Sequence, residues 1–146
     1  MSSDVVPVDT NVLVYATYED MEHHRASSHL LDQAPHGQLP LCASPQVLAE
    51  LYATITNPRR VSHPFSPEEA IEVVQRFVGM PGLALLPMPS DLVTRWLALA
   101  RGHPVTGRRI FDLQLIATML ASGVNRIYTY NRSDFEPFEE IEVLSP

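Results

Sequence analysis

The sequence predicts an α/β domain in which a mainly parallel central sheet of about five strands is flanked by helices on both faces. Short apolar runs alternate with longer amphipathic segments along nearly the whole chain. Helix-start and helix-stop signals fall between those runs, as Ser44-Pro45, Ser66-Pro67 and Gly123 do. Hydrophobic residues make up 45% of the chain and charged residues only 18%, which suits a packed core and excludes a disordered chain. At 146 residues the chain fits one domain, residues 1–146.

The first element is a strand, Val5 to Val8, ending in the turn Asp9-Thr10-Asn11 and followed by a short helix from Val12. Pro7 donates no ladder hydrogen bond and is tolerated at a strand's start rather than in its interior. A polar helix from about Met21 to Gln33 follows, then a turn at Pro35-His36-Gly37 and a second strand, Leu39 to Ala43. Ser44 caps a third helix with Pro45 at its first position, where the missing N–H costs nothing, and Asn57-Pro58 ends it. Ser66 and Glu69 form a capping box before an amphipathic run through Phe77, closed by Gly79 to Gly82. Gly82 to Pro87 supplies a third strand, and Ser90 caps a helix to about Arg101. A loop, Gly102 to Gly107, leads to the last helix, Ile110 to Ser122, terminated by Gly123. The final strands are Arg126 to Tyr130 and Ile141 to Leu144. In such folds a ligand site lies beyond the carboxyl ends of the strands, where Asp9, Asn131 and Asp134 fall.

Composition removes several chemistries. All ten basic residues are Arg, and without a lysine a P-loop NTPase, a Schiff-base enzyme or a phosphate-sensing receiver is disfavoured. A net charge of −7 argues against coating nucleic acid through a diffuse positive field, so any RNA must be drawn by local Arg residues or a metal. Cys42 is the only cysteine, which precludes an intramolecular disulfide and a cysteine-cluster zinc module. No apolar stretch approaches the about 20 residues of a membrane span, and Asp4 and Asp9 interrupt any secretory core. A reducing cytoplasm is the expected compartment. The six histidines lack metal-ligand spacing, and neither a G-x-S-x-G element nor a catalytic-cysteine signature is present.

The acids carry the candidate chemistry. Asp9 reads equally as an N-cap and as a strand-end site residue. Projected at about 100° per residue, Glu50 lies outside the arc of Val47, Leu48, Leu51 and Ile55, beside Gln46 and Thr54, as a solvated glutamate would. Asp112 projects between Ile116 and Met119 inside the apolar arc, while Gln114, Thr118 and Ser122 form the polar side. Burying an unpaired carboxylate costs several kcal/mol, so Asp112 needs Arg108 or Arg109, the helix amides, or a cation. Asp134 and Asn131 read equally as turn residues.

Together, Val8 to Leu13, Leu48-Ala49-Glu50, Arg109 to Ala117 and Thr129 to Phe135 resemble the PIN-domain family, and in particular the VapC-type toxins of bacterial toxin–antitoxin pairs. The four elements occur in the family's order across nearly the entire chain. The resemblance implies that Asp9 and Asp112 are the principal metal ligands, that Glu50 completes the pocket, and that Asn11 and Thr129 support metal-bound waters. Some relatives place an acid where this chain has Asn131, and here the Asp134-Phe135 pair keeps the acid. All-oxygen ligands favour Mg²⁺ or Mn²⁺. Arg108, Arg109 and Arg132 adjoin the proposed ligands in sequence and are candidates to hold RNA phosphates. The resemblance further implies an endoribonuclease, usually a homodimer, silenced by a small antitoxin protein. Rival readings are a PIN nuclease of RNA processing without an antitoxin, an inactive PIN-like binding domain and, more remotely, a haloacid dehalogenase-type phosphotransferase, whose second Asp after Asp9 is missing.

Overall fold

The structure is a computed structural model that describes residues 5–37 and 39–146. Among the described residues the fold has five short strands and six α-helices, with a pair of helices between successive strands as far as β4: β1 Val6–Pro7, α1 Thr10–Thr17, α2 His24–Asp32, β2 Leu41–Ala43, α3 Pro45–Ile55, α4 Pro67–Val78, β3 Leu83–Leu85, α5 Leu92–Gly102, α6 Ile110–Ala121, β4 Arg126–Tyr128 and β5 Glu142–Leu144. Every strand pairing is parallel.

The expected five-stranded sheet is divided. β1, β2 and β3 form one three-stranded sheet, β4 and β5 form a two-stranded sheet, and a single parallel bridge between Val8 and Tyr128 joins them. Pro7 supplies the physical reason. The amides of Val6 and Val8 donate to Pro40 and Cys42 on the β2 side, so alternate positions face β4. Asp9 N donates to Tyr128 O on that side, and the next donor back along β1 would be Pro7, which has none.

The spatial order is therefore β3-β2-β1-β4-β5, with the direction of travel reversing between β1 and β4. Right-handed crossovers in opposite directions put helices on opposite faces. Consistent with this, α1 packs on α2 and α3, α3 packs on α4, and α5 packs on α6. The core sits between these layers. Leu113, Ile116 and Met119 of α6 have no exposed surface, and neither do Val8, Val12, Leu13 and Ile127, each such side chain contributing about 1.5–3 kcal/mol.

Local signals explain most boundaries. Ser44 Oγ accepts from Val47 N at 3.1 Å, and the capping box forms with Glu69 N to Ser66 Oγ at 3.2 Å and Ser66 N to Glu69 Oε1 at 2.9 Å. Three helix starts differ from expectation, the first being α2, which begins at His24 rather than about Met21 after a turn in which His24 N donates to Met21 O. α1 begins at Thr10 rather than Val12, because the Asp9 carboxylate accepts from Thr10 N and caps it. α5 begins after Asp91 rather than Ser90, and Asp91 pairs with Arg95 at 2.8 Å instead of capping the helix.

Candidate active site

Reversal of strand order at β1 and β4 leaves a crevice at their carboxyl ends, and both strands feed it directly. Asp9 is the first residue after the β1 bridge and Thr129 the first after β4. A cleft of about 690 Å³ opens there, lined by Asp9, Asn11, Glu50, Arg108, Asp112, Asn131 and Asp134 among others. Residues far apart in the chain are thus gathered on one side of the molecule.

Asp9 is nearly buried and firmly held. Its Oδ1 accepts from Thr10 N at 2.8 Å, while its Oδ2 accepts from the Thr129 hydroxyl at 2.8 Å and from Asn11 Nδ2 at 3.3 Å. Thr129 is fully buried beneath it and also accepts from Asn11 Nδ2 and Asn131 N. The capping and site readings of Asp9 are therefore both realised by one carboxylate. Burial pushes its pKa up, the Thr129 and Thr10 hydrogen bonds oppose that, and the charges of Glu50 and Asp134 add to it.

Glu50 is half-buried, and its two oxygens are tied to different elements. Oε2 accepts from Thr10 Oγ1 at 3.0 Å and Oε1 from Gln46 Nε2 at 2.8 Å. Gln46 also donates to the Phe111 carbonyl at 2.8 Å and accepts from Gln114 Nε2 at 2.7 Å, which clamps α3 against the start of α6. The solvated appearance of Glu50 on its helix arc is corrected by these neighbours, since its polar arc faces the cleft rather than open solvent. Replacing Gln46 by Ala is expected to cost up to about 1 kcal/mol, because it removes three hydrogen bonds whose remaining groups are exposed or half-buried and can turn to water. A denaturant midpoint equal to the parent's would show that the clamp contributes nothing.

Asp112 occupies the first turn of α6 and retains 30% side-chain exposure, so it faces the cleft rather than the interior of the apolar arc. Arg109 approaches it only to 4.0 Å. Burial raises its pKa most, followed by the charges of Asp134 and Asp9, and despite Arg109 its carboxyl is pushed up to about 6. Asp134 is the fourth acid of the cleft, carried by a 3₁₀ turn at Arg132–Asp134, while Asn131 contributes an exposed amide at the rim.

The arginines separate. Arg108 lines the cleft with its guanidinium 5.7 Å from the Phe111 ring, Arg109 sits beside Asp112, and Arg132 is engaged elsewhere with Val143 O, Ser145 and Glu136. Arg132 thus lies away from the cleft expected for it. Sequence reasoning missed Thr10, Gln46 and Gln114 as holders of the acids. The available signal was Gln46 four residues before Glu50, a spacing at which helical side chains meet.

The donor set fits a hard divalent cation. It consists of carboxylate and amide oxygens, and the burial and, after it, the mutual repulsion that raise Asp9 and Asp112 are what a 2+ charge would offset. Among the described residues no three His, Cys, Asp or Glu side chains are gathered closely enough to hold a metal ion as they stand.

Fold and cleft together define a doubly wound parallel α/β protein with a carboxylate-lined site at its topological switch point. A family model described as PIN domain matches residues 6–141, and the chain belongs to that family. Ribonuclease VapC24 of Mycobacterium tuberculosis is 34% identical over 143 residues, spanning 97% of each chain. Ribonuclease VapC43 of the same organism is 33% identical over 116 residues and 77% of each chain. Among solved structures, the crystal structure of M. tuberculosis VapC20, described as a Sarcin-Ricin loop cleaving toxin, superimposes with a TM-score of 0.68 at 17% identity, covering 97% of this chain and 99% of that one. VapBC2 from Rickettsia felis bound to a DNA fragment from their promoter gives a TM-score of 0.64 at 16% identity over 97% and 98%. These two likenesses concern the fold.

Proposed function

We propose that this protein is a divalent-cation-dependent endoribonuclease and the toxin of a toxin–antitoxin pair. One observation carries the reading: the carboxylates of Asp9, Glu50, Asp112 and Asp134, from four separate stretches of chain, line one cleft. Membership of the PIN-domain family and likeness to relatives named ribonuclease VapC support the same reading. Mg²⁺ is the expected ion, with Mn²⁺ as its substitute.

In this reading Asp9, Glu50, Asp112 and Asp134 hold the cation, which when bound lowers the pKa of a water and screens charge on the leaving oxygen. Thr129 and Asn11 hold the Asp9 carboxylate in one orientation, so its oxygens need no reorganisation during hydrolysis. Thr10 and Gln46 do the same for Glu50. Arg108 lies where it can hold a substrate phosphate against the repulsion of the acids, with Arg109 beside it. Hydrolysis then breaks one P–O ester bond and adds water across it.

A small antitoxin is the expected partner, supported by solved neighbours that are toxin–antitoxin complexes. Homodimerisation is expected as well, supported by Val93, Leu97, Met88 and Phe111, each 42% exposed or more. Among the described residues no helix is long and apolar enough to cross a membrane, and a cytoplasmic location is expected for an activity on RNA.

The test is cleavage of RNA by the purified chain with Mg²⁺ and with a chelator; equal rates in both would sink the proposal. A melting experiment gives an independent readout. The carboxyls of Asp9 and Asp112 are raised in the fold above the unfolded value near 3.9, Asp112 to about 6, so the native chain binds more protons than the unfolded one above about pH 4, for Asp112 until about pH 6. Their contribution to stability therefore falls as pH rises through that window. In chelator the melting temperature is expected to drop between pH 5 and 7, less steeply in Asp112→Asn, and Mg²⁺ is expected to raise it more at pH 7 than at pH 5. A melting temperature indifferent to Mg²⁺ at pH 7 would count against a cation site.

A further inference from the structure

The cleft extends well past the four acids. An ion with six waters at about 30 Å³ each would fill roughly 200 Å³ of the about 690 Å³ present. The remainder runs along α1 and α3 away from the strand ends. On the α1 side its walls are Val14 and Tyr15, one turn beyond Thr10 and Asn11, together with Met21. On the α3 side they are Thr54, one turn beyond Glu50, then Asn57 and finally Arg60.

Three features of this extension stand out. The Tyr15 ring is set edge-to-face against His23 at 5.0 Å and 83° and against Tyr130 at 5.1 Å and 84°, which fixes its plane at the cleft wall. Opposite it, Thr54 and Asn57 offer hydrogen-bonding groups, and the Asn57 side chain uses its oxygen to accept from Arg59 N, leaving its amide N–H groups for another acceptor. Arg60 is exposed at the far end and joins no ion pair among the described residues. In a chain of net charge −7, an unpaired guanidinium in the same cleft as four carboxylates is where a polyanion can be anchored.

We propose that this extension is a nucleotide subsite for single-stranded RNA, in which a base lies against Tyr15 and Met21 with its polar edge towards Thr54 and Asn57, and a neighbouring phosphate binds the Arg60 guanidinium. The inference rests on the nuclease reading of the acids and adds the strand state of the substrate and the residues that grip it beyond the cut. A planar aromatic wall facing polar side chains suits an unstacked base, which only single-stranded or loop RNA presents. The fork of Arg60 suits two phosphate oxygens. From Glu50 to its end at Ile55, α3 advances about 7 Å at about 1.5 Å per residue, and Asn57 and Arg60 follow beyond that end.

The experiment is fluorescence anisotropy of a labelled single-stranded RNA decamer with the full chain, carried out in an Asp112→Asn background with Mg²⁺ over a series of salt concentrations. Arg60→Ala is expected to weaken binding about tenfold and to reduce the magnitude of the log–log salt slope by about 0.7. Arg60→Lys should keep the slope and recover part of the affinity. Tyr15→Leu should weaken binding severalfold with an unchanged slope, and Tyr15→Phe should bind like the parent. Because Arg60 is exposed, its variant tests the idea even if a Tyr15 variant fails to fold. Parental affinity and slope in Arg60→Ala overturn the subsite, and that is also the result for a cleft shaped to take a peptide. Failure of the nuclease reading shows separately, as undiminished cleavage by Asp9→Asn.

Discussion

Replacing Asp9 by Asn is expected to lower Mg²⁺-dependent RNA cleavage by about 10²–10³-fold or more, with the fold retained. The substitution keeps the shape of the side chain and an oxygen to accept from Thr10 N, but the new amide meets Asn11 Nδ2 and a Thr129 hydroxyl that already accepts two hydrogen bonds, so the two bonds to Oδ2 are lost. On the proposed reading, what is lost is a negative charge at the cation site, and several kcal/mol of transition-state stabilisation would go with the ion. The fold loses little because ionised Asp9 is already a burden, as its raised pKa shows. Asp112→Asn should behave alike, and the double variant should be scarcely worse than either single one, since residues acting through one ion are not additive. Initial rates on RNA and thermal melts of the same preparations check both halves. Cleavage within threefold of the parent in an intact Asp9→Asn protein would remove the basis of the assignment.

The largest stability loss is expected at Gly82, where Ala should cost on the order of 3 kcal/mol and lower the melting temperature by about 10 °C. Two causes act together. Gly82 has φ +83°, a conformation L residues rarely adopt. A Cβ there would also lie 2.1 Å from the Ala34 carbonyl oxygen and 2.4 Å from its carbon, both backbone atoms that no rotamer change can move. The same glycine passes its carbonyl to Leu41 N at the head of β2, so strain would reach the central strand of the three-stranded sheet. By contrast, Gly37 is also at positive φ with open space around it, and Gly37→Ala should cost only the strain, about 1 kcal/mol. Parallel melts of the two variants separate the steric part from the conformational part. Equal losses would refute the steric account of Gly82.

The alternation of elements, the parallel pairing and the capped helix starts at Ser44 and Ser66 were legible in the sequence, because period, proline position and capping side chains act within a few residues. The resemblance to the PIN-domain family was legible too, through four short elements in order, and it named all four acids that now share the cleft. The sequence itself left Asp9 divided between cap and site, and the structure shows that one carboxylate serves as the cap and lines the cleft.

What the chain alone determined are properties set by neighbours along it: which segments are helix or strand, where helices start, and that no lysine or disulfide chemistry is available. What only tertiary structure decided are properties set by residues distant in sequence. The sheet divides because the Pro7 nitrogen, which lies on the β4 side, has no hydrogen to donate, Glu50 faces the cleft because Thr10 and Gln46 reach its two oxygens, and Arg132 lies by the C-terminal strand, where Val143 offers it a carbonyl. The physical reason is common to all three. A side chain's environment is fixed by contacts made across the fold, and spacing along the chain reports only those within a turn or a strand.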